Sequence, residues 1–499
     1  MNDPGSAIAS RGTELLAKLQ DAGALEALQS AEVLSAVADE QLCDLLQEPA
    51  VHLLLQNANF LAVIPNPDVV AYLQTDEFRG KLDAMRSALI FAEQAQSISV
   101  FDVLSMAMPV FVIAFLVVLI ATPLFRSLAK KLDVVDRPSE ARKIHTRVTP
   151  YFGGLAILSG LLAGLFYSGM IDDWPAIYRG IPLGVYVGMI AIAAAGLLDD
   201  MTNFAWRFKV ALILVAAAAL AQSDVGTRVA AGLFDWMGLE VLNDLVLPAF
   251  PNWSVANLIG AFIIGIFVLG GCNATNLIDG LDGLLSGVTG LVAIGLLALS
   301  CVIITTMSAG MTLVEVQYVQ ETMGTTTVMT LAGVRVVLSL ALLGAVLGFL
   351  PYNFNPASIF LGDCGSLLLG YMCVVIILML GEAGETQLMV AGLIIFAIPI
   401  IDTLLAIVRR RVQGKHFWDP DAKHMHHILR QRTGSVKKAV LSIYAMGAFF
   451  AVLGAGLGIL DLLDLIQIRY IYVVFLVLAA VVTWIGWRMG TAEKLEQST

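Results

Sequence analysis

Leu269-Gly270-Gly271-Cys272-Asn273-Ala274-Thr275-Asn276-Leu277-Ile278-Asp279-Gly280-Leu281-Asp282-Gly283-Leu284 decides how the rest of the chain is read. One long apolar run enters this stretch and another leaves it. Two asparagines and two aspartates lie between them, among small and apolar residues. In a bilayer such carboxylates are costly and need a partner, a cavity or a cation. One polar residue here would read as the cap of the following helix. Four within ten positions point to a functional site. The glycines permit close backbone approach and a break between two helices.

Outward from this stretch the chain is apolar. It is 58% hydrophobic and only 14% charged over 499 residues, with a mean hydropathy of +0.83, which makes it a polytopic membrane protein. Eleven apolar runs follow one another, near 104–125, 151–170, 181–198, 208–222, 255–272, 284–306, 331–350, 367–380, 388–408, 440–460 and 470–488. The expected fold class is therefore all-α, with about eleven transmembrane helices. Some runs are shorter than the roughly 20 residues a spanning helix needs; short helices are tolerated where they line a cavity. Five cysteines lack CxxC spacing and read as small buried residues.

The formal charge of −11 is uneven: the first 102 residues carry −10 of it. Residues 1–100 have no continuous apolar span and no signal-peptide pattern. They read as an acidic bundle of short amphipathic helices, either an interaction module or a solvated spacer, with its partner unknown. Residues 101–490 form the membrane domain and 491–499 a short tail. Basic residues crowd 126–149 and 409–438, seven and nine of them, and mark the cytoplasmic side. Eleven spans then put the N-terminal domain outside the cytoplasm, in the periplasmic or extracytoplasmic space.

Each polar cluster falls on that same face. Lys143-Ile144-His145 follows the first run, Asp199-Asp200 the third and Asn273–Asp282 the fifth. Leu361-Gly362-Asp363 precedes the eighth run, and His424-Met425-His426-His427 follows the ninth. One cytoplasmic cleft accounts for this sorting. Asp199, Asp200, Asp279, Asp282 and Asp363, with Asn276 and Asn353, are hard oxygen ligands suited to Mg²⁺. Lys143, Arg147, Lys209 and the histidines supply cations. Together they suit phosphoryl transfer from a nucleotide diphosphate, where positioning and charge neutralisation dominate. Bland readings stand beside these: Lys209 snorkelling to headgroups, basic runs that only set topology, histidines in a solvated loop. A cation transporter would place acids at mid-span and repeat its halves. An aspartyl intramembrane protease would need glycine where Phe360 stands. A CDP-alcohol phosphotransferase would need Ala-Arg after its Asp-Gly, and a catalytically altered scaffold protein is the remaining rival.

Four motifs carry a resemblance: Leu-Leu-Asp-Asp-Met-Thr-Asn at 197–203, Asn-Ala-Thr-Asn-Leu-Ile-Asp-Gly-Leu-Asp-Gly-Leu at 273–284, Phe-Leu-Gly-Asp-Cys-Gly-Ser at 360–366 and Asp-Ala-Lys-His-Met-His-His-Ile-Leu at 421–429. Over 104–488 the chain resembles the polyprenyl-phosphate N-acetylhexosamine-1-phosphate transferases of glycosyltransferase family 4, in the WecA/TagO-like branch related to MraY. The resemblance implies transfer of a sugar-1-phosphate, GlcNAc-1-phosphate by branch, from a UDP-sugar to undecaprenyl phosphate in the bacterial inner membrane. UMP is released, in the first membrane step of surface polysaccharide synthesis such as O-antigen. It implies Mg²⁺, with Mn²⁺ as substitute, on Asp363 and Asn276. Asp199 and Asp200 would orient the lipid phosphate and Lys209 hold phosphate. Asn353 and Phe360 would hold and stack uracil, with Asn273, Asp279 and Asp282 in the same pocket. His424, His426 and His427 would contact sugar or diphosphate, and Lys143, His145 and Arg147 would close over the nucleotide. A homodimer is compatible with this reading; a nucleic-acid partner is not part of it. The chain departs from the branch at Ala422-Lys423, where an arginine is common nearby.

Overall fold

The computed structural model describes residues 100–137, 148–170, 180–202, 205–239, 241–246, 253–310, 327–381, 384–416 and 424–498. The N-terminal domain expected at residues 1–100, and Lys143, His145 and Arg147, lie outside them. Within Ser99–Met307 and Thr327–Thr499 the chain forms one compact unit. Its helices in order are α1 (Val100–Lys131), α2 (Gly153–Ser168), α3 (Leu183–Thr202), α4 (Trp206–Gln222), α5 (Val229–Trp236), α6 (Val241–Asp244), α7 (Val255–Ile278), α8 (Leu284–Gly310), α9 (Thr327–Asn353), α10 (Gly362–Leu380), α11 (Thr386–Ile395), α12 (Ala397–Val412), α13 (Met425–Thr433), α14 (Val436–Leu462) and α15 (Arg469–Ser498). A two-stranded antiparallel ribbon, β1 (Val135–Asp136) with β2 (Thr149–Pro150), sits between α1 and α2.

All eleven apolar runs are helical, but they are not eleven equal crossings. Among the described residues eight helices are long and apolar enough to span a membrane, and α11 with α12 makes a ninth only as a pair bent by 79°. Helices α2 and α4 have 16 and 17 residues. The loop expected at 223–254 also carries α5 and α6.

α10 is the axis: every residue from Cys364 to Leu380 is buried. α2, α3, α7 and α9 pack on it. Where lipid replaces water, helix association depends on close packing and interhelical hydrogen bonds rather than on burial from water. Small residues supply the first: Gly271 of α7 meets Gly370 and Val374 of α10. Tyr371 supplies the second, its buried hydroxyl lying 3.2 Å from the Val185 carbonyl. The break that the glycines permit does not fall at Gly270-Gly271, where α7 runs unbroken to Ile278 and Gly271 serves packing. The chain turns afterwards, at 279–283.

A proline in α1 shows the same economy of polar groups. Pro123 has no N–H to offer the Leu119 carbonyl. The Tyr352 hydroxyl, on α9, donates to that carbonyl at 3.0 Å instead. The repair ties α1 to the end of α9, one residue before Asn353. The four cysteines among the described residues are free and buried, as expected.

Candidate active site

The site forms where α3, α4, α7 and α10 meet. Asp363 lies in the first turn of α10, where the helix dipole favours a carboxylate. Its Oδ1 accepts from Asn276 Nδ2 at 2.8 Å, and Asn276 Nδ2 also reaches Ser366 Oγ at 2.9 Å. On its other side Asp363 pairs with Lys209. Lys209 bridges onward to Asp199 Oδ2 at 3.1 Å. With only 16% of its side chain exposed, Lys209 points inward and does not snorkel.

Asp200 is placed differently from its neighbour. Its two carboxylate oxygens accept the backbone N–H groups of Asp363 at 2.8 Å and Cys364 at 3.1 Å. α10 has no side-chain cap of its own at Leu361, so Asp200 caps it from another helix. Asp200, expected to orient or deprotonate the lipid phosphate, fixes the turn that carries Asp363. Gly362 has φ +68°, and a Cβ there would strike the Asp200 carboxylate.

A cavity of about 400 Å³ opens beside this cluster, lined by Asn276, Asp279, Asp282, Phe360, Asp363 and His427 among others. Burial pushes the Asp279 carboxyl up to about 8, assisted by the charges of Asp363, Asp200 and Asp282. Asp282 holds the opposite wall: its Oδ2 accepts from Asn355 Nδ2 at 2.9 Å and Ala357 N at 3.0 Å. Asn353 also lines the cavity but is only 3% exposed. Its Oδ1 accepts from Ser286 Oγ at 2.5 Å and Gly283 N at 3.2 Å, and its Nδ2 donates to the Ile359 carbonyl. Expected to hold uracil, its amide instead bolts the 279–283 turn to the 354–360 loop. Phe360 does present its ring to the cavity, 6.1 Å from that of Tyr151.

Two expected residues sit elsewhere. Asn273 is exposed and donates to the carbonyl of Leu269 in its own helix at 2.7 Å; it is not among the residues that line the cavity, whereas Asn276 is. Of the three histidines, His427 lines the cavity. His424 is buried and bonds Asp402 through Nδ1 at 2.8 Å. His426 is packed against Gly280, and neither of its ring nitrogens has a hydrogen-bonding partner among the described residues. Burial, and His427 beside it, push its imidazole down to about 3.

The sequence reading missed Asp402, Tyr151, Asp136, Asn355 and Ser366. Asp402 carried a signal, as a lone carboxylate inside an apolar run. Tyr151 carried none: it comes to the cavity because β2 and the start of α2 dock on the 360–361 backbone. Phe360 N donates to Pro150 O at 2.8 Å and Gly154 N to Leu361 O at 2.9 Å. Its phenol is held protonated by burial, by a hydrogen bond to Asp136 and by neighbouring carboxylates.

The donor set is hard oxygen throughout. Among the described residues no three His, Cys, Asp or Glu side chains converge to cage a metal. Magnesium does not require such a cage, since it takes one or two carboxylates and completes its shell with water and phosphate oxygens. Clustered carboxylates facing one lysine fit that habit, with Asp363 and Asn276 foremost.

Fold and site define a polytopic α-helical membrane protein with a carboxylate–lysine centre at one end of its bundle. The family model described as "Glycosyl transferase family 4" matches residues 182–381, which include α3, α4, α7 and α10. The chain is 33% identical over 345 residues, 68% of itself and 82% of the relative, to a protein of Bacillus subtilis (strain 168) called "Probable undecaprenyl-phosphate N-acetylglucosaminyl 1-phosphate transferase". It is 30% identical over 355 residues, 66% of itself and 77% of the relative, to the "Decaprenyl-phosphate N-acetylglucosaminephosphotransferase" of Mycobacterium tuberculosis (strain ATCC 25618 / H37Rv). A "Phospho-N-acetylmuramoyl-pentapeptide-transferase" of Halalkalibacterium halodurans is 28% identical over 349 residues, 68% of this chain and 94% of the relative. The chain belongs to glycosyl transferase family 4, among the polyprenyl-phosphate N-acetylhexosamine-1-phosphate transferases.

Proposed function

We propose that this protein transfers N-acetylglucosamine-1-phosphate from UDP-N-acetylglucosamine to undecaprenyl phosphate, at the cytoplasmic face of the bacterial plasma membrane. The observation that carries the reading is the Asp199–Lys209–Asp363–Asn276 chain of contacts at the mouth of a polar cavity. Relatives bearing N-acetylglucosaminyl 1-phosphate transferase names support the sugar and the lipid.

An oxygen of the lipid phosphate attacks the sugar-bearing phosphorus of the diphosphate. A P–O bond forms there, the bond to the uridine-side phosphate breaks, and UMP leaves. A phosphate is already ionised near neutral pH, so the attack needs no side chain to remove a proton. Lys209 neutralises and orients the reacting phosphates, in a site whose contribution is positioning and charge. Asp200 holds Asp363 in place through the backbone, and Phe360 and Tyr151 offer aromatic surface to the nucleotide base. Asp363 and Asn276 would hold Mg²⁺, or Mn²⁺ with the same hard donors, which would supply screening of the diphosphate charge.

The test is UMP release by purified protein supplied with undecaprenyl phosphate, Mg²⁺ and a panel of UDP-N-acetyl sugars. UMP should appear with UDP-N-acetylglucosamine, disappear on chelation, and fall by about 10²–10³-fold in Asp363→Asn. Turnover of another sugar alone would move the specificity. No UMP from any sugar in folded protein would sink the proposal.

A further inference from the structure

We infer that Asp402 is a positioning residue for His427: one carboxylate on the bent helix α12 holds the first turn of α13 and so aims His427 into the cavity. The inference deepens the transferase reading above and rests on it.

α13 starts without a cap of its own. Its N-cap is His424, extended at φ −60° and ψ 153°, whose side chain makes no bond to the helix. A nine-residue helix so left should fray at that end, because its first N–H groups lack partners. Asp402 supplies what is missing from outside. Its Oδ1 accepts the Met425 N–H at 2.6 Å and its Oδ2 meets His424 Nδ1 at 2.8 Å. Both partners lie within three residues of His427, in a turn closed by His427 N to the His424 carbonyl at 3.0 Å. An ionised carboxylate can only accept, so it also fixes the proton of His424 on Nδ1.

Asp402 itself is 1% exposed and is not among the cavity-lining residues, whereas His427 is. Its effect on substrate therefore has to pass through α13. The 79° bend between α11 and α12 sets the direction of the limb that carries it. His426 shows how closely the turn is set: its ring lies between those of His424 and His427, at 5.8 and 4.2 Å centroid to centroid.

Three variants separate the two bonds. Asp402→Ala removes both. Asp402→Asn keeps an oxygen for the Met425 N–H but cannot accept from His424 and the backbone together. Asp402→Glu keeps the charge and should recover part of the loss. In UMP-release kinetics Asp402→Ala should raise KM for the UDP-sugar by about tenfold, with Asp402→Asn smaller and KM for the polyprenyl phosphate unchanged. Placed on His427→Ala, Asp402→Ala should cost nothing further, since the route it acts through is gone. An undiminished cost on that background overturns the inference, as does a fall in melting temperature with both KM values intact. Hydrogen exchange gives a readout without turnover: the amides of 425–427 should exchange about tenfold faster in Asp402→Ala, and unchanged exchange overturns the inference as well. A wild-type protein that releases no UMP strikes the transferase reading instead, and leaves the exchange experiment to decide the role of Asp402.

Discussion

His426 shows what one side chain costs when it is buried without partners. Among the described residues neither ring nitrogen has a partner where the ring packs against Gly280, a loss of roughly 1–3 kcal/mol for an unsatisfied polar group. With its pKa pushed down to about 3, the folded protein keeps the ring neutral, whereas the unfolded chain protonates it near 6.5. Between those values only the unfolded state binds the proton. Stability should therefore be flat above about pH 6.5 and fall below it by about 1.4 kcal/mol per pH unit from this residue alone. His426→Leu should remove that slope and unfold no more easily at pH 7.5. Thermal melts in detergent from pH 4.5 to 8 check both; parallel curves for the two proteins would refute the account. The neighbouring histidines make the same lesson about legibility. Their spacing announced a shared site, yet His424, His426 and His427 do three different things. Residue type and spacing reveal which groups gather at one end of a bundle. They do not reveal which of them face the cavity, because one helical step of about 100° separates a wall from a strut.

At the scale of elements, the first turn of α10 is held by helices that approach it through glycine. A Cβ on Gly196 of α3 would overlap the backbone of Asp363 and Cys364, and one on Gly154 of α2 would overlap Cys364 and Gly365. α3 delivers Asp199 and Asp200 only because Gly196 lets it come that close, one helical turn earlier. Gly196→Ala should therefore push α3 off α10 and break the Asp200 cap, lowering UMP release by about 10²-fold while the protein still inserts in the membrane. Gly270→Ala is the control, since open space surrounds Gly270. Equal activity in the two variants would show that the close approach is dispensable. The helices themselves were legible as apolar runs, and the aspartates at their ends as a shared site. The bend between α11 and α12 was not, because Phe396, where it falls, interrupts nothing in the hydropathy. The β1–β2 ribbon and Tyr151 were invisible for a related reason: two-residue strands depend on what they dock against, here the 360–361 backbone, and not on any pattern of their own.

For the whole molecule, the side of the membrane on which residues 1–100 lie is a prediction from charge and hydropathy. Among the described residues α1 is the most apolar of the spanning helices, and its last turn carries Lys130 and Lys131. The ribbon that follows reaches the active site through Tyr151 and Asp136. α12 likewise ends on Arg409, Arg410 and Arg411. Basic residues at these helix ends carry the expectation that the site end of the bundle faces the cytoplasm. With one crossing by α1, that expectation predicts an extracytoplasmic position for residues 1–100. The chain provides its own probe. Cys43 is the one cysteine of that segment, and the other four, Cys272, Cys301, Cys364 and Cys373, are buried. A membrane-impermeant maleimide added to intact spheroplasts after mild reduction should label the wild-type protein and not Cys43→Ala. Labelling that appears only after the membrane is opened would put the segment beside the active site, and would require α1 to enter the bilayer from the cytoplasm and return.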